Sequence, residues 1–243
     1  MHSFPGGTGV TGLTVYEDVA PDGLVSGTPH VHTASTEGYV VVAGHGAVQT
    51  LDLSGFRETA IEVGTVLWFT PGTIHRIVNG GSLQVVCVMQ NSGLPEAGDA
   101  VMVFPDEILG DPERYRAAAA LPPGTGEDTA TAASARRDLG VRGFLELRAA
   151  VERGDFAPLE RFYQRAAHLV QPRVAAWRET WEQGARATAL HTGTVLTSLA
   201  AGDSCSMFDA ALFMAEPHAG AERFGMCGRL RTYDVAPTGV SAR

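Results

Sequence analysis

From residue 29 to residue 90 the chain is a succession of short β-branched or aromatic runs, each too short for a helix and none with helical period. The runs fall at 38–42, 47–51, 59–63, 66–69, 75–78 and 83–89, separated by Gly, Pro, Asn and Asp. Gly44-His45-Gly46 reads as one hairpin turn and Ser54-Gly55 as another. Six short strands at regular spacing predict an antiparallel sandwich or barrel. Upstream, residues 1–29 are rich in Gly, Pro and Thr, with one strand at 13–16 that is expected to pair with a sheet edge.

The texture changes near Pro105. Residues 105–120 open with acidic side chains and continue into an alanine run, as a helix does. A linker rich in Pro, Gly, Thr and Ser is expected at 121–134. Two helices follow between 135 and 183, broken near Gly154-Asp155. The first carries Leu139, Phe144, Leu147 and Val151, and the second repeats apolar residues at three-to-four spacing from Leu159 to Trp177. Pro172 is expected to kink or split the second. A further helix fits the alanine-rich 186–215, and 229–235 reads as a strand returning to the sheet. The expected organisation is a β-barrel with its arm at 1–104, a helical extension at 105–220 and a return strand with tail at 221–243. No repeat of the first half appears in the second.

Composition narrows the partners. No run approaches the ~20 apolar residues that span a bilayer, and the first residues lack the basic start and apolar stretch of a signal peptide, so a cytoplasmic protein off the membrane is expected. The net charge is −9 and every basic side chain is Arg, which leaves no basic excess for nucleic acid. Cys87, Cys205 and Cys227 form neither a CxxC pair nor a disulfide framework and are read as small buried hydrophobes.

The chemistry concentrates between residues 29 and 79. His30, His32 and Glu37 stand in H-x-H-x4-E spacing, and His75 follows the Pro71-Gly72 turn. Three imidazoles and a carboxylate suit a divalent ion such as Fe(II), Mn(II), Ni(II), Co(II) or Zn(II). Strand alternation sends His30 and His32 to one face and Val31 to the other; Glu37, Tyr39 and Val41 share the inner face, and parity from His75 sends Ile77 inward and Arg76 outward. Tyr39 is the residue expected to meet a substrate, and Gln49, Trp68, Phe69, Met89 and Gln90 are expected to line its pocket. His45 is read as exposed in its turn, and His168, His191 and His218 as structural or surface groups; His2 is terminal. The arginines Arg161, Arg165 and Arg173 read as a solvated stripe.

These residues resemble the cupin superfamily. Its first motif is matched by His30, His32, Glu37 and Gly44, and its second by Gly64, Pro71, Gly72, His75 and Asn79. The glycine before the first His is off its usual offset, and the Gly64 to Pro71 spacing is one residue longer than the common pattern. The resemblance implies a mainly β, antiparallel jelly-roll barrel with His30, His32, Glu37 and His75 on one divalent transition metal, and leaves the helical half without a counterpart. It also implies a homodimer, because small barrels of this family bury an open sheet face against a second copy. The mixed His/carboxylate set favours an Fe(II)-type oxygenase acting on a small polar molecule. The alternatives are a non-redox isomerase, epimerase, lyase or cyclase, and a small-molecule binder without catalysis. The apolar helix face is expected either to cap the barrel as a lid or to pack on a second subunit.

Overall fold

The computed structural model describes residues 4–235. After a short 3-10 turn the elements are β1 Gly9–Val15, β2 His30–His32, β3 Glu37–Asp52, β4 Gly55–Glu62, β5 Val66–Phe69, β6 Ile74–Met89 and β7 Ala100–Met102. The helices α1 Asp106–Leu109, α2 Pro112–Ala119, α3 Glu127–Glu152, α4 Ala157–Val170, α5 Val174–Trp181 and α6 Ala187–Ala200 follow, then the strands β8 Arg223–Phe224 and β9 Gly228–Thr232. The fold is an antiparallel β-barrel with helices in the C-terminal half, as expected from the sequence. Among the described residues no helix is long and apolar enough to cross a membrane.

Two long strands make the barrel. β3 and β6 pair along nearly their whole length, with register shifts between Val41 and Gly46 that bend the pair. Their ends near Glu37 and Met89 pair with β5 and β1, and β1 pairs with β9. Their other ends, near Asp52 and Ile74, pair with β4 and with β2, which pairs with β7. Each long strand therefore belongs to both walls of the barrel.

This corrects the reading of Gly44-His45-Gly46 as a hairpin turn, and with it the count of six short strands. The chain passes straight through those residues, and the two glycines serve a bulge instead. Gly44 has φ +69°, and a Cβ on Gly46 would lie 2.1 Å from the Val78 carbonyl oxygen, so the bend needs both a left-handed residue and a close backbone approach. Ser54-Gly55 does turn the chain between β3 and β4. The arm strand pairs with β6 of its own sheet, and β9 returns to pair with β1.

The inner face follows the alternation: Tyr39, Val41, Val48, Ile77, Val85 and Cys87 belong to one buried cluster inside the barrel. The outer face at the β2, β6 and β7 end is apolar too, through Val31, Leu51, Ile74 and Val101, and the helices cover it with Phe144, Leu159, Phe162 and Trp177. The helix face with the strong apolar stripe thus packs on its own barrel. Arg76 points away from the interior as parity requires, yet it is fully buried, because α3 lies over it; its guanidinium donates to Asp22 Oδ2 at 2.7 Å.

Helix boundaries follow local chemistry. α2 begins at Pro112, capped by Asp111, whose carboxylate accepts from the Glu113 and Arg114 amides; this cap splits the helix expected over 105–120. Pro172 splits α4 from α5 through a 3-10 turn. The expected linker is shorter than 121–134, since α3 starts at Glu127. Glu127 and Asp128 stand in the first helical turn, and Thr129 and Ala133 are buried, so packing recruits a Thr/Ala stretch that composition assigns to a loop.

Candidate metal centre

Three strands deliver the four side chains. His30 on β2 and His75 on β6 are direct cross-strand partners, and His32 lies two residues along β2 on the same face. Glu37 opens β3, where it pairs with Met89 and Phe69. One ligand atom from each of His30, His32, Glu37 and His75 lies within 4.8 Å of the others. The residues are only 2%, 6%, 6% and 0% exposed, so the polar atoms meet out of bulk water.

The outward ring nitrogens show which way the inward ones are set. His30 Nδ1 lies 2.9 Å from the Thr28 carbonyl oxygen, and His75 Nδ1 lies 3.0 Å from that of Thr73. Carbonyl oxygens only accept, so both Nδ1 atoms carry the proton and both Nε2 atoms present lone pairs. Those Nε2 atoms face each other at 3.1 Å. His32 Nε2 is 3.2 Å and His75 Nε2 3.0 Å from Glu37 Oε2. Converging lone pairs and a buried carboxylate call for a cation at their centre, and the outward hydrogen bonds are the supporting contacts that metal-bound histidines make.

Electrostatics agree. Burial pulls His30 well below its ordinary pKa, and the neighbouring His75 and His32 lower it further, so it stays a neutral donor. Burial alone would raise the Glu37 pKa, but His32 and His75 hold it well below the usual carboxylate range. For His32 burial lowers the pKa, but the Glu37 and Asp99 carboxylates outweigh it and bring it to about 9. Glu37 is therefore ionised beside His32, whose Nε2 proton an incoming cation would displace.

The remaining predicted residues divide by strand parity. Tyr39, two residues beyond Glu37, is buried beside the Cys227 thiol, and its ring centroid is 6.5 Å from that of His75. Phe69 stacks on His75 at 4.0 Å between centroids, and Met89 pairs with Glu37. The structure brings these three to the four-residue cluster. It does not bring Gln49, Trp68 or Gln90 there. Gln49 pairs with the outward Arg76 and donates to Glu58 Oε2 at 2.6 Å. Trp68 pairs with Gly38, one residue out of phase with Glu37, and is 71% exposed. With Gln90 it lines a groove of about 510 Å³ on the outer sheet face that none of the four clustered residues borders.

His45, His168, His191 and His218 are exposed, and Arg173 spans to the Gly98 carbonyl. Sequence reasoning missed Asp99, a fully buried carboxylate whose Oδ2 lies 3.5 Å from His32 Nδ1. Its only mark in the sequence is an acid directly before an apolar strand. His2 lies outside the described residues.

Residues 15–89 match the family model described as Cupin domain. No curated protein matches the chain at a significant level. Among solved structures it is similar to a double-stranded β-helix protein from Klebsiella pneumoniae subsp. pneumoniae MGH 78578, at 18% identity over 34% of this chain and 66% of that one, with a TM-score of 0.28. It is also similar to a cupin protein from Bacteroides fragilis, at 16% identity over 35% of this chain and 65% of that one, with a TM-score of 0.26. A third similarity is to KdgF from Halomonas sp., at 21% identity over 27% of this chain and 57% of that one, with a TM-score of 0.24. The chain spans less than two thirds of each of these three proteins.

Proposed function

We propose, from the match of residues 15–89 to the Cupin domain model, that the protein is a metal-dependent enzyme acting on a small polar organic molecule, of the Fe(II)-type oxygenase class. The observation that carries this reading is the set of inward lone pairs: Nε2 of His30 and His75 at 3.1 Å with the Glu37 carboxylate beside them, while both Nδ1 atoms are spent on carbonyls. His30, His32, Glu37 and His75 would hold the ion. When bound, a ferrous ion supplies redox chemistry with O2; a redox-inert ion supplies Lewis acidity.

This chain's own residues do the rest. Glu37 offsets the ion's charge and Phe69 fixes the His75 ring plane by stacking. The apolar interior around Tyr39, Val41 and Ile77 excludes water and so strengthens each polar contact inside it. Tyr39 is the substrate-facing residue in this reading: its buried hydroxyl, two residues beyond Glu37 on the same face, would donate to a polar substrate atom.

Elemental analysis of the purified protein is expected to find one divalent transition metal per chain. With candidate small polar substrates, oxygen uptake is expected to track product formation. Turnover that continues under argon, or equal activity with Zn(II), would transfer the protein to the non-redox isomerase, epimerase, lyase or cyclase class. A retained metabolite that never turns over would make it a binder.

We further propose a homodimer formed through the outer face of β3, β5 and β6. Val42, Val66 and Trp68 are 49%, 61% and 71% exposed there, an apolar face that the helices leave open. Light scattering is expected to give twice the 25.6 kDa chain mass, and Trp68→Glu to give the chain mass itself. A wild-type monomer at micromolar concentration would refute this.

A further inference from the structure

Between the metal centre and the helices runs the segment from Asn91 to Asp99, to which the proposed function assigns no role. Asp99 ends it, fully buried. Its Oδ1 accepts three hydrogen bonds, from the Thr33 amide at 2.8 Å, the Ala34 amide at 2.7 Å and the Thr33 hydroxyl at 2.6 Å. Its Oδ2 is buried without a hydrogen-bond partner and lies 3.5 Å from His32 Nδ1. One oxygen is saturated and fixes the plane of the carboxylate; the other faces the His32 imidazole, with the buried Ser35 hydroxyl also beside the carboxylate.

The residues just before Asp99 are held from the opposite side. Trp177 Nε1 on α5 donates to the Ala97 carbonyl at 3.3 Å, and Arg173, at the start of α5, donates to the Gly98 carbonyl at 3.0 Å. At the far end of the segment Thr180 packs so closely on Gly93 that a Cβ there would lie 2.6 Å from its methyl group. A line of contacts therefore runs from α5, through two carbonyls, to the carboxylate that faces a clustered histidine.

We propose that Asp99 is a positioning residue for His32 and that the docking of α5 on the 91–99 segment sets how tightly the centre holds its ion. This rests on the metal-centre reading above. With Nδ1 facing Asp99 and Nε2 facing Glu37, the imidazole is held with Nε2 aimed at the shared centre, where an ion would displace the Nε2 proton. If α5 shifts, Ala97 and Gly98 lose their donors, the carboxylate loses its anchorage, and the imidazole is free to turn or to change tautomer.

The test is titration of the metal-free full-length chain with Co(II), followed by the visible ligand-field spectrum and by a competing chelator. Asp99→Asn presents an amide to Nδ1 and is expected to weaken Co(II) binding by about 10–100-fold, the usual effect of losing such an outer partner, and to alter the spectrum. Arg173→Met combined with Trp177→Phe leaves Asp99 in place and is expected to weaken binding several-fold. Melting of each metal-free variant separates this loss from unfolding. Should Asp99→Asn fail to fold, Thr33→Val, which removes only one donor to Oδ1, is expected to weaken binding in the same direction. Wild-type chain that takes up no Co(II) would sink the metal reading itself. Wild type that binds while Asp99→Asn, or Thr33→Val in its place, stays within two-fold would overturn the positioning role. Loss in the Asp99 variant with an unaltered Arg173/Trp177 variant would overturn the coupling to α5.

Discussion

Stripping the bound ion with a chelator is expected to lower the thermal midpoint by roughly 8–16 °C, and restoring a divalent transition metal to recover it. An ion present at a thousand times its dissociation constant stabilises the folded state by about 4 kcal/mol, and 1 kcal/mol moves the midpoint of a chain this size by about 2–4 °C. The reason for so large an effect is local. Without a cation, the Nε2 atoms of His30 and His75 face each other at 3.1 Å with lone pairs opposed, and the Glu37 carboxylate is buried among rings. Glu37→Gln keeps the shape but removes the charge that draws the ion, and is expected to abolish most of the chelator-sensitive shift. Scanning calorimetry of as-purified, stripped and reloaded protein decides the matter: superimposed curves, together with no metal by elemental analysis, would remove the metal centre from this account.

Phe144→Ala is expected to cost about 3–5 kcal/mol, the range for truncating a fully buried aromatic ring. Phe144 is 0% exposed, on the face of α3 that covers the barrel, 6.4 Å from the Phe56 ring and 5.7 Å from the Arg76 guanidinium. Its loss leaves a cavity, and it also uncovers a buried cation. Arg76 Nε and Nη1 have no hydrogen-bond partner among the described residues, and its ion pair is with Asp22, so the lost packing and the exposed desolvated group act together. Against a total stability of about 5–15 kcal/mol this is a large share. Denaturant unfolding of metal-loaded protein measures it; a change below about 1 kcal/mol would mean that α3 does not cover the barrel through this ring.

The amino-acid sequence alone determined the barrel and the four-residue cluster. Alternation with a period of two residues sends His30 and His32 to the face opposite Val31, and the spacing of Glu37 and His75 matches a known arrangement. The alternation spans only a few residues, the range over which strand geometry acts, whereas His75, 45 residues from His30, is joined to the cluster by the match to a known motif. Tertiary structure decided what depends on segments distant in the chain. Gly44 and Gly46 look like a turn by composition, yet they bulge within a continuous strand because β6 lies against them, a contact no local pattern encodes. Trp68 and Gln49 read as pocket residues by type, and parity against their cross-strand partners turns them to the outer face. Asp99 was invisible because it reaches His32 from a position 67 residues further along the chain, through a loop whose path is set by Trp177 and Arg173. Backbone periodicity is written locally, whereas a buried carboxylate acquires its meaning from whichever donors the folded chain brings to it.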